Sequence, residues 1–269
     1  MSTLDPDGHI PEISVFFQEL AQLAAAPSLA HFRSGVGVEN KNTDDFDPVT
    51  EADRNTESVI REKIRAKFPE HGIIGEEFGS ENLDCDYVWV IDPIDGTRAY
   101  ISGLPTWGTL VGLTYKGRAV AGFMSQPYLG EVFMGAPGGS YFAKDGGATM
   151  PINVSQVKTL ADAKLMTTTP ALFQGEASNR YFELERQVRL PRYGFDCYAY
   201  AMLAAGHIDL VVEPGLQSYD IVGLIGLIEQ AGGIVTTWDG ERPENGGNII
   251  AAATTSLHAA ALKIINGAG

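Results

Sequence analysis

Residues 88–100 read VWVIDPIDGTRAY. The apolar run Val88, Trp89, Val90, Ile91 suits a buried strand. It ends in Asp92 and Asp95, three apart, with Pro93 after the first and Gly96-Thr97 after the second. Two carboxylates this close at a buried strand end repel each other, and one of them tends to keep its proton. A hard divalent cation removes that conflict. Mg²⁺ takes oxygen ligands, needs only a few carboxylates, and completes its shell with water and substrate phosphate. Gly96 has no side chain, so the backbone amides of Gly96 and Thr97 can approach a phosphate oxygen. The Thr97 hydroxyl can orient a water.

Other acids stand in similar settings. IIGEEFG places Glu76 and Glu77 between glycines after an apolar lead, LQSYDIVGLIGLI places Asp220 at the start of an apolar helix, and VTEADR places Asp53 near the start of another. Each has a plain structural alternative. Asp220 and Asp53 suit helix caps or first-turn charges, worth about 1 kcal/mol. Glu76 and Glu77 suit a solvated turn.

The chain has 269 residues, enough for one large domain or two modest ones with a full core. Its 44% apolar and 20% charged content is that of a globular protein. With 34 acidic against 19 basic residues the net charge is −15, which argues against nucleic acid or an anionic membrane as partner. Two distant cysteines, Cys85 and Cys197, make neither a disulfide framework nor a CxxC metal site, and a reducing, cytoplasmic setting is expected. MSTLDPDGHI lacks the basic-then-apolar pattern of a signal peptide, and no apolar run approaches the ~20 residues of a membrane span.

Helical spacing predicts an amphipathic helix over residues 13–33, kinked or divided by Pro27, and a second over residues 48–68. From residue 87 short apolar runs broken by Gly and Pro predict antiparallel strands, with turns at residues 116–117 and 145–147. GAPGGS reads as a hairpin, not a nucleotide loop, since the Lys-Ser/Thr ending is absent. Later segments alternate strands and helices. A boundary is placed near residue 150: residues 1–150 form an α+β domain with the metal-binding acids, and residues 151–269 an α/β domain that completes the site. The five histidines show no ligand spacing and read as structural or surface residues. Cys197 has no evident base partner in sequence and reads as a non-nucleophile.

DPVTEADR (47–54), IIGEE (73–77), WVIDPIDGT (89–97) and SYDIVGLIGLIEQAGG (218–233), in this order, resemble the inositol monophosphatase family of metal-dependent phosphatases. The resemblance implies a layered α/β/α/β/α sugar-phosphatase sandwich, two or three Mg²⁺ per active site, and a homodimer. It implies that Glu76, Asp92, Asp95, Asp220 and the Ile94 carbonyl bind Mg²⁺, with Glu77 a weaker candidate. Asp53 and Thr97 would polarise the attacking water, the amides of Gly96 and Thr97 would hold phosphate, and Lys41 matches a lysine of the loop before Asp53.

Three stretches, DGTRAYISGLPTWGTL, FDCYAYAMLAAGHIDLVVEPGL and LQSYDIV, resemble the histidinol-phosphate phosphatase branch. That branch hydrolyses L-histidinol phosphate in histidine biosynthesis. By position Arg98, Asp196 and Glu213 are the candidates facing the leaving group, and the two acids suit its ammonium. Asp196 suits a helix N-cap equally well, and Arg98 a salt bridge. The alternatives are an inositol-1-monophosphatase or another sugar or polyol phosphatase, and, more remotely, a non-catalytic binding protein on the same fold. The partner expected is a small-molecule phosphate monoester.

Overall fold

The computed structural model describes residues 10–33, 39–40, 48–49 and 51–267. Helix α1 (Ile10–Ala30) is followed by a two-stranded ribbon of β1 (Glu39–Asn40) and β2 (Pro48–Val49), and then by α2 (Glu51–Lys67). Next come β3 (Gly72–Gly75), β4 (Gly79–Glu81), β5 (Tyr87–Asp95), the short α3 (Thr97–Ile101), β6 (Gly108–Tyr115), β7 (Arg118–Gln126), β8 (Glu131–Ala136), β9 (Gly139–Lys144) and β10 (Met150–Ile152). The second half runs through β11 (Lys164–Thr167), α4 (Gly175–Glu185), β12 (Leu190–Tyr193), α5 (Asp196–Ala204), β13 (Leu210–Leu216), α6 (Ser218–Gln230), β14 (Ile234–Thr237), β15 (Gly247–Ala252) and α7 (Thr255–Ile265). Strands β3 to β10 form an eight-stranded sheet in the order β10-β9-β8-β7-β6-β5-β3-β4. The other five form a sheet in the order β12-β11-β13-β15-β14.

Alternation along the strands sorts the core into layers. Trp89, Ile91, Val111 and Leu113 face one side of the large sheet and pack with Phe16, Phe17, Leu20, Ile60 and Ile64 of α1 and α2. Val90 and Leu110 face the other side, toward α5 and α6. Those helices are covered in turn by the five-stranded sheet, whose far face packs on α4 and α7 through Leu165, Val212, Leu257 and Ala261. The result is the expected α/β/α/β/α sandwich. The α1 helix runs through Pro27 to Ala30 without dividing, and Ser28 Oγ donates to the carbonyls of Ala24 and Ala25. The expected turns are present, with Lys116-Gly117 and Asp145-Gly146 all at left-handed φ. No helix among the described residues is long and apolar enough to cross a membrane.

Two features of this frame place the acids. The first is the end of β5. Asp92 pairs with Leu110 and Asp95 with Gly108, so Pro93 and Ile94 together oppose the single Thr109. In a regular strand residues three apart point to opposite faces. The bulge adds one residue to β5 and returns both carboxylates to the same side. Pro93 has no N–H to lose, and its carbonyl accepts from Thr109 Oγ1 at 2.8 Å.

The second feature is the seat of α6. This helix is apolar nearly all round, as its burial between two sheets requires. It lies unusually close to the large sheet because glycine meets glycine. A Cβ at Gly122 would fall 2.1 Å from the Gly223 carbonyl oxygen, and one at Gly226 would fall 2.5 Å from the Ala121 carbonyl carbon. The approach brings Asp220, in the first turn of α6, to the end of β5. Gly122→Ala should therefore lower stability by about 1–3 kcal/mol through overpacking, read as a lower denaturant midpoint at unchanged slope. A wild-type midpoint would show that α6 has room to move.

Candidate metal and phosphate site

Asp92, Asp95 and Asp220 each offer a carboxylate oxygen, and these atoms all lie within 4.8 Å of one another. Asp92 is buried and its Oδ1 has no hydrogen-bond partner. Burial, then the charges of Glu76, Asp95, Asp220 and Asp53, hold its carboxyl well above the usual range. Asp95 is raised too, by burial and by Asp220 and Asp196, although Cys197 N–H donates to its Oδ2 at 2.8 Å. Burial pushes Asp220 up to about 6, against hydrogen bonds from Gln217 N–H and with Asp92. Its Oδ2 accepts from Gln217 N–H at 2.6 Å, closing a capping box. Asp220 is thus both the N3 partner of the Gln217 cap and a member of the cluster. A buried carboxylate oxygen lacking a donor, among acids that raise one another, fits a hard divalent cation.

Glu76 belongs to the same corner. Gly75 pairs with Ile91 in parallel register and Glu76 N–H donates to the Ile91 carbonyl at 3.2 Å, so Glu76 sits beside Asp92. Glu77 differs: its side chain is 3% exposed and forms an ion pair with Arg54 at 3.7 Å. Asp53, in the first turn of α2, is 2% exposed. That burial disfavours a solvated first-turn charge, and Asp53 raises both Asp92 and Tyr100. Gly96 takes φ +84, a left-handed conformation that glycine adopts without strain, and caps α3. Thr97 Oγ1 donates to the Ile94 carbonyl at 3.2 Å, and the Ile94 side chain is buried. Lys41 lies outside the described residues.

Beside the triad is a cavity of about 140 Å³ lined in part by Asp95, Thr168, Asp196, Glu213, Leu216 and Asp220. Asp196 is not an N-cap. Phe195 holds that position, without a side-chain cap bond, and Asp196 follows it at φ +42. A non-glycine residue in that region is strained by about 1 kcal/mol or more, although Asp tolerates it better than most. A Cβ at Gly96 would fall 3.0 Å from Asp196 Cβ, so the two residues are in direct apposition. Burial pushes Asp196 up to about 6, against the pull of Arg98 and a hydrogen bond with Thr168. Arg98 itself is exposed. Glu213, on β13, accepts from Thr168 N–H at 2.7 Å, Thr168 Oγ1 at 2.5 Å and Tyr200 OH at 3.3 Å. Burial pushes it up to about 7.

Three further residues at the site were not assigned a role there from the sequence. Thr168 bridges Glu213 and Asp196, and only the parallel pairing of β11 with β13 brings it there. The Cys197 backbone holds Asp95, while burial and the Asp95 charge push its thiol well up, so the sulfur is a poor nucleophile. Glu57, fully buried on α2, accepts from the N–H groups of Glu77 and Phe78. A D-x₃-E-x₃-R spacing over residues 53–61 was the only available hint. Two of the histidines have structural partners: His71 Nδ1 accepts from Trp89 Nε1 at 3.0 Å, and His258 Nε2 meets Thr236 Oγ1 at 2.8 Å.

Comparison with known proteins agrees with this geometry. The sequence is 38% identical to the Arabidopsis thaliana bifunctional phosphatase IMPL2, chloroplastic, over 96% of this chain and 76% of that protein. It is 33% identical to a histidinol-phosphatase of Chlorobaculum parvum, over 83% of this chain and 85% of that one. The fold superposes on an inositol monophosphatase from Zymomonas mobilis with a TM-score of 0.83 and 35% identity, covering 97% of this chain and 99% of that one. The profile of the inositol monophosphatase family matches residues 11–268, the span that carries both sheets and every acid described above, and the chain belongs to that family.

Proposed function

We propose that this member of a family of Mg²⁺-dependent phosphatases hydrolyses L-histidinol phosphate to L-histidinol and phosphate. A phosphomonoesterase follows from family membership. The choice of substrate is carried by one observation: the cavity wall beside the acidic triad bears Asp196, held at φ +42 against Gly96 and free of any capping duty. An acid so placed is suited to a cationic leaving group. Histidinol carries an ammonium, which a carboxylate holds by charge-assisted hydrogen bonds, whereas a polyol gains less from the charge. The similarity to the Chlorobaculum parvum histidinol-phosphatase supports the same reading.

In this reading Glu76, Asp92, Asp95, Asp220 and the Ile94 carbonyl hold Mg²⁺. Bound there, the metal supplies a water of lowered pKa and neutralises charge on the phosphate and leaving oxygen. The chain's own groups do the rest. Asp53 and Thr97 orient and polarise the attacking water. The amides of Gly96 and Thr97 hold phosphate oxygens. Asp196 takes the ammonium, and Glu213, already engaged by Thr168 and Tyr200, shapes the floor beneath it.

Phosphate release should depend on Mg²⁺, stop in EDTA, and favour L-histidinol phosphate over inositol 1-phosphate when both are assayed in parallel. A preference for inositol phosphate would leave the phosphatase reading intact and remove the ammonium contact. Asp196→Asn should cost about 10- to 100-fold in kcat/KM on histidinol phosphate, the loss of one charge-assisted hydrogen bond, with a much smaller loss on an ester that lacks an ammonium. Equal losses on both would make Asp196 a structural residue.

The raised acids also predict a pH dependence. Folded-state values of about 6 for Asp196 and Asp220 and about 7 for Glu213 exceed the ordinary carboxylate range. In the metal-free protein the folded state therefore binds more protons than the unfolded state between those limits, and stability falls as pH rises through that window. Mg²⁺, which favours the ionised acids, should raise Tm more at about pH 8 than at about pH 5. An equal increment at both would show that the acids do not titrate with the metal.

A further inference from the structure

Glu76 opens the turn between β3 and β4, and exposed turns are ordinarily the most pliable part of a sheet. This one is fastened from behind. The next two amides, of Glu77 and Phe78, donate to the Glu57 carboxylate at 2.7 and 3.2 Å. Glu57 is fully buried on α2, one helical turn beyond Asp53. One turn further on, Arg61 is also buried. Its Nε donates to Glu57 Oε1 at 2.7 Å, its Nη2 donates to the Gly79 carbonyl, and its Nη1 lies 3.5 Å from Glu81. A single buried ion pair thus ties residues 77–81 to one face of α2. Only glycine admits it at residue 75, where a Cβ would fall 2.0 Å from Glu57 Oε1.

We infer that Glu57 and Arg61 are positioning residues for the metal site: α2 carries Asp53 directly and clamps the turn that carries Glu76, so one rigid element sets the distance between the two acids. A buried Glu–Arg pair contributes little net stability compared with apolar packing of the same volume. Its distinctive effect here is geometric, since it replaces water on two consecutive turn amides with a fixed carboxylate. The inference rests on the reading of Glu76 as a metal ligand.

Direct Mn²⁺ binding, read by the electron paramagnetic resonance of the free ion, tests it on the full chain as wild type, E57Q and E76Q. E57Q should weaken Mn²⁺ binding by about 10- to 100-fold, as loss of a group supporting a metal ligand typically does. Its kcat at saturating Mg²⁺ should fall less than its metal affinity. Wild-type Mn²⁺ binding by E57Q beside impaired binding by E76Q overturns the clamp and leaves the metal reading standing. Wild-type binding by E76Q removes the metal reading and the clamp with it. Should E57Q fail to fold, hydrogen exchange of the unaltered protein decides. The Glu77 and Phe78 amides should then be protected like those of α2, and exchange at the rate of open turn amides would overturn the inference.

Discussion

Mutual repulsion among buried carboxylates is the constraint on which this structure turns. Asp92, Asp95 and Asp220 come within 4.8 Å of one another in a protein already carrying a net charge of −15. Nothing in the hydrophobic core favours that convergence. Each acid reaches the site because a stronger local determinant puts it there. The β5 bulge turns Asp95 to the side of Asp92. The glycine contacts between α6 and the large sheet bring in Asp220. The cost of desolvating these groups is offset by hydrogen bonds to single oxygens, Cys197 N–H to Asp95 and Gln217 N–H to Asp220, and by carboxyls that keep their protons above the ordinary range. The arrangement as folded fits a cation.

Much of the site was legible in the sequence because its signals are local. DPIDGT combines two acids with the residues that control backbone geometry around them, and SYDIVGLIGLIEQAGG announces a buried helix with an acid at its head. The helices α1 and α2 and the strands from β5 to β9 followed from periodicity and turn residues. Interior strand β15 did not. GNIIAA is short, has no alternation, and lies between β13 and β14 only because the five-stranded sheet closes around it. Thr168 and Glu57 were illegible for the same reason. Thr168 acts through the pairing of β11 with β13, and Glu57 through a turn twenty residues away in sequence. Asp196 was ambiguous at the level of sequence, since an acid before a helix looks like a cap. Its φ of +42 and the placement of Phe195 at the cap position are tertiary facts.

In the proposed reading the two ends of the substrate pose opposite electrostatic problems. The phosphate end would meet acids that a metal must neutralise before an anion can approach. The leaving-group end would meet Asp196 and Glu213, which line the same cavity beside the triad. These two are not equivalent. Glu213 spends its acceptor capacity on the Thr168 amide, the Thr168 hydroxyl and Tyr200 OH, and is buried to 3% exposure. Asp196 is partly open, with Arg98 and Thr168 as the groups that favour its charge. A cation arriving at this wall is drawn to the acid with acceptor capacity remaining. Charge discrimination should therefore reside in Asp196, with Glu213 acting on shape, and the strain accepted at Asp196 is consistent with a residue placed for its side chain and not for its helix.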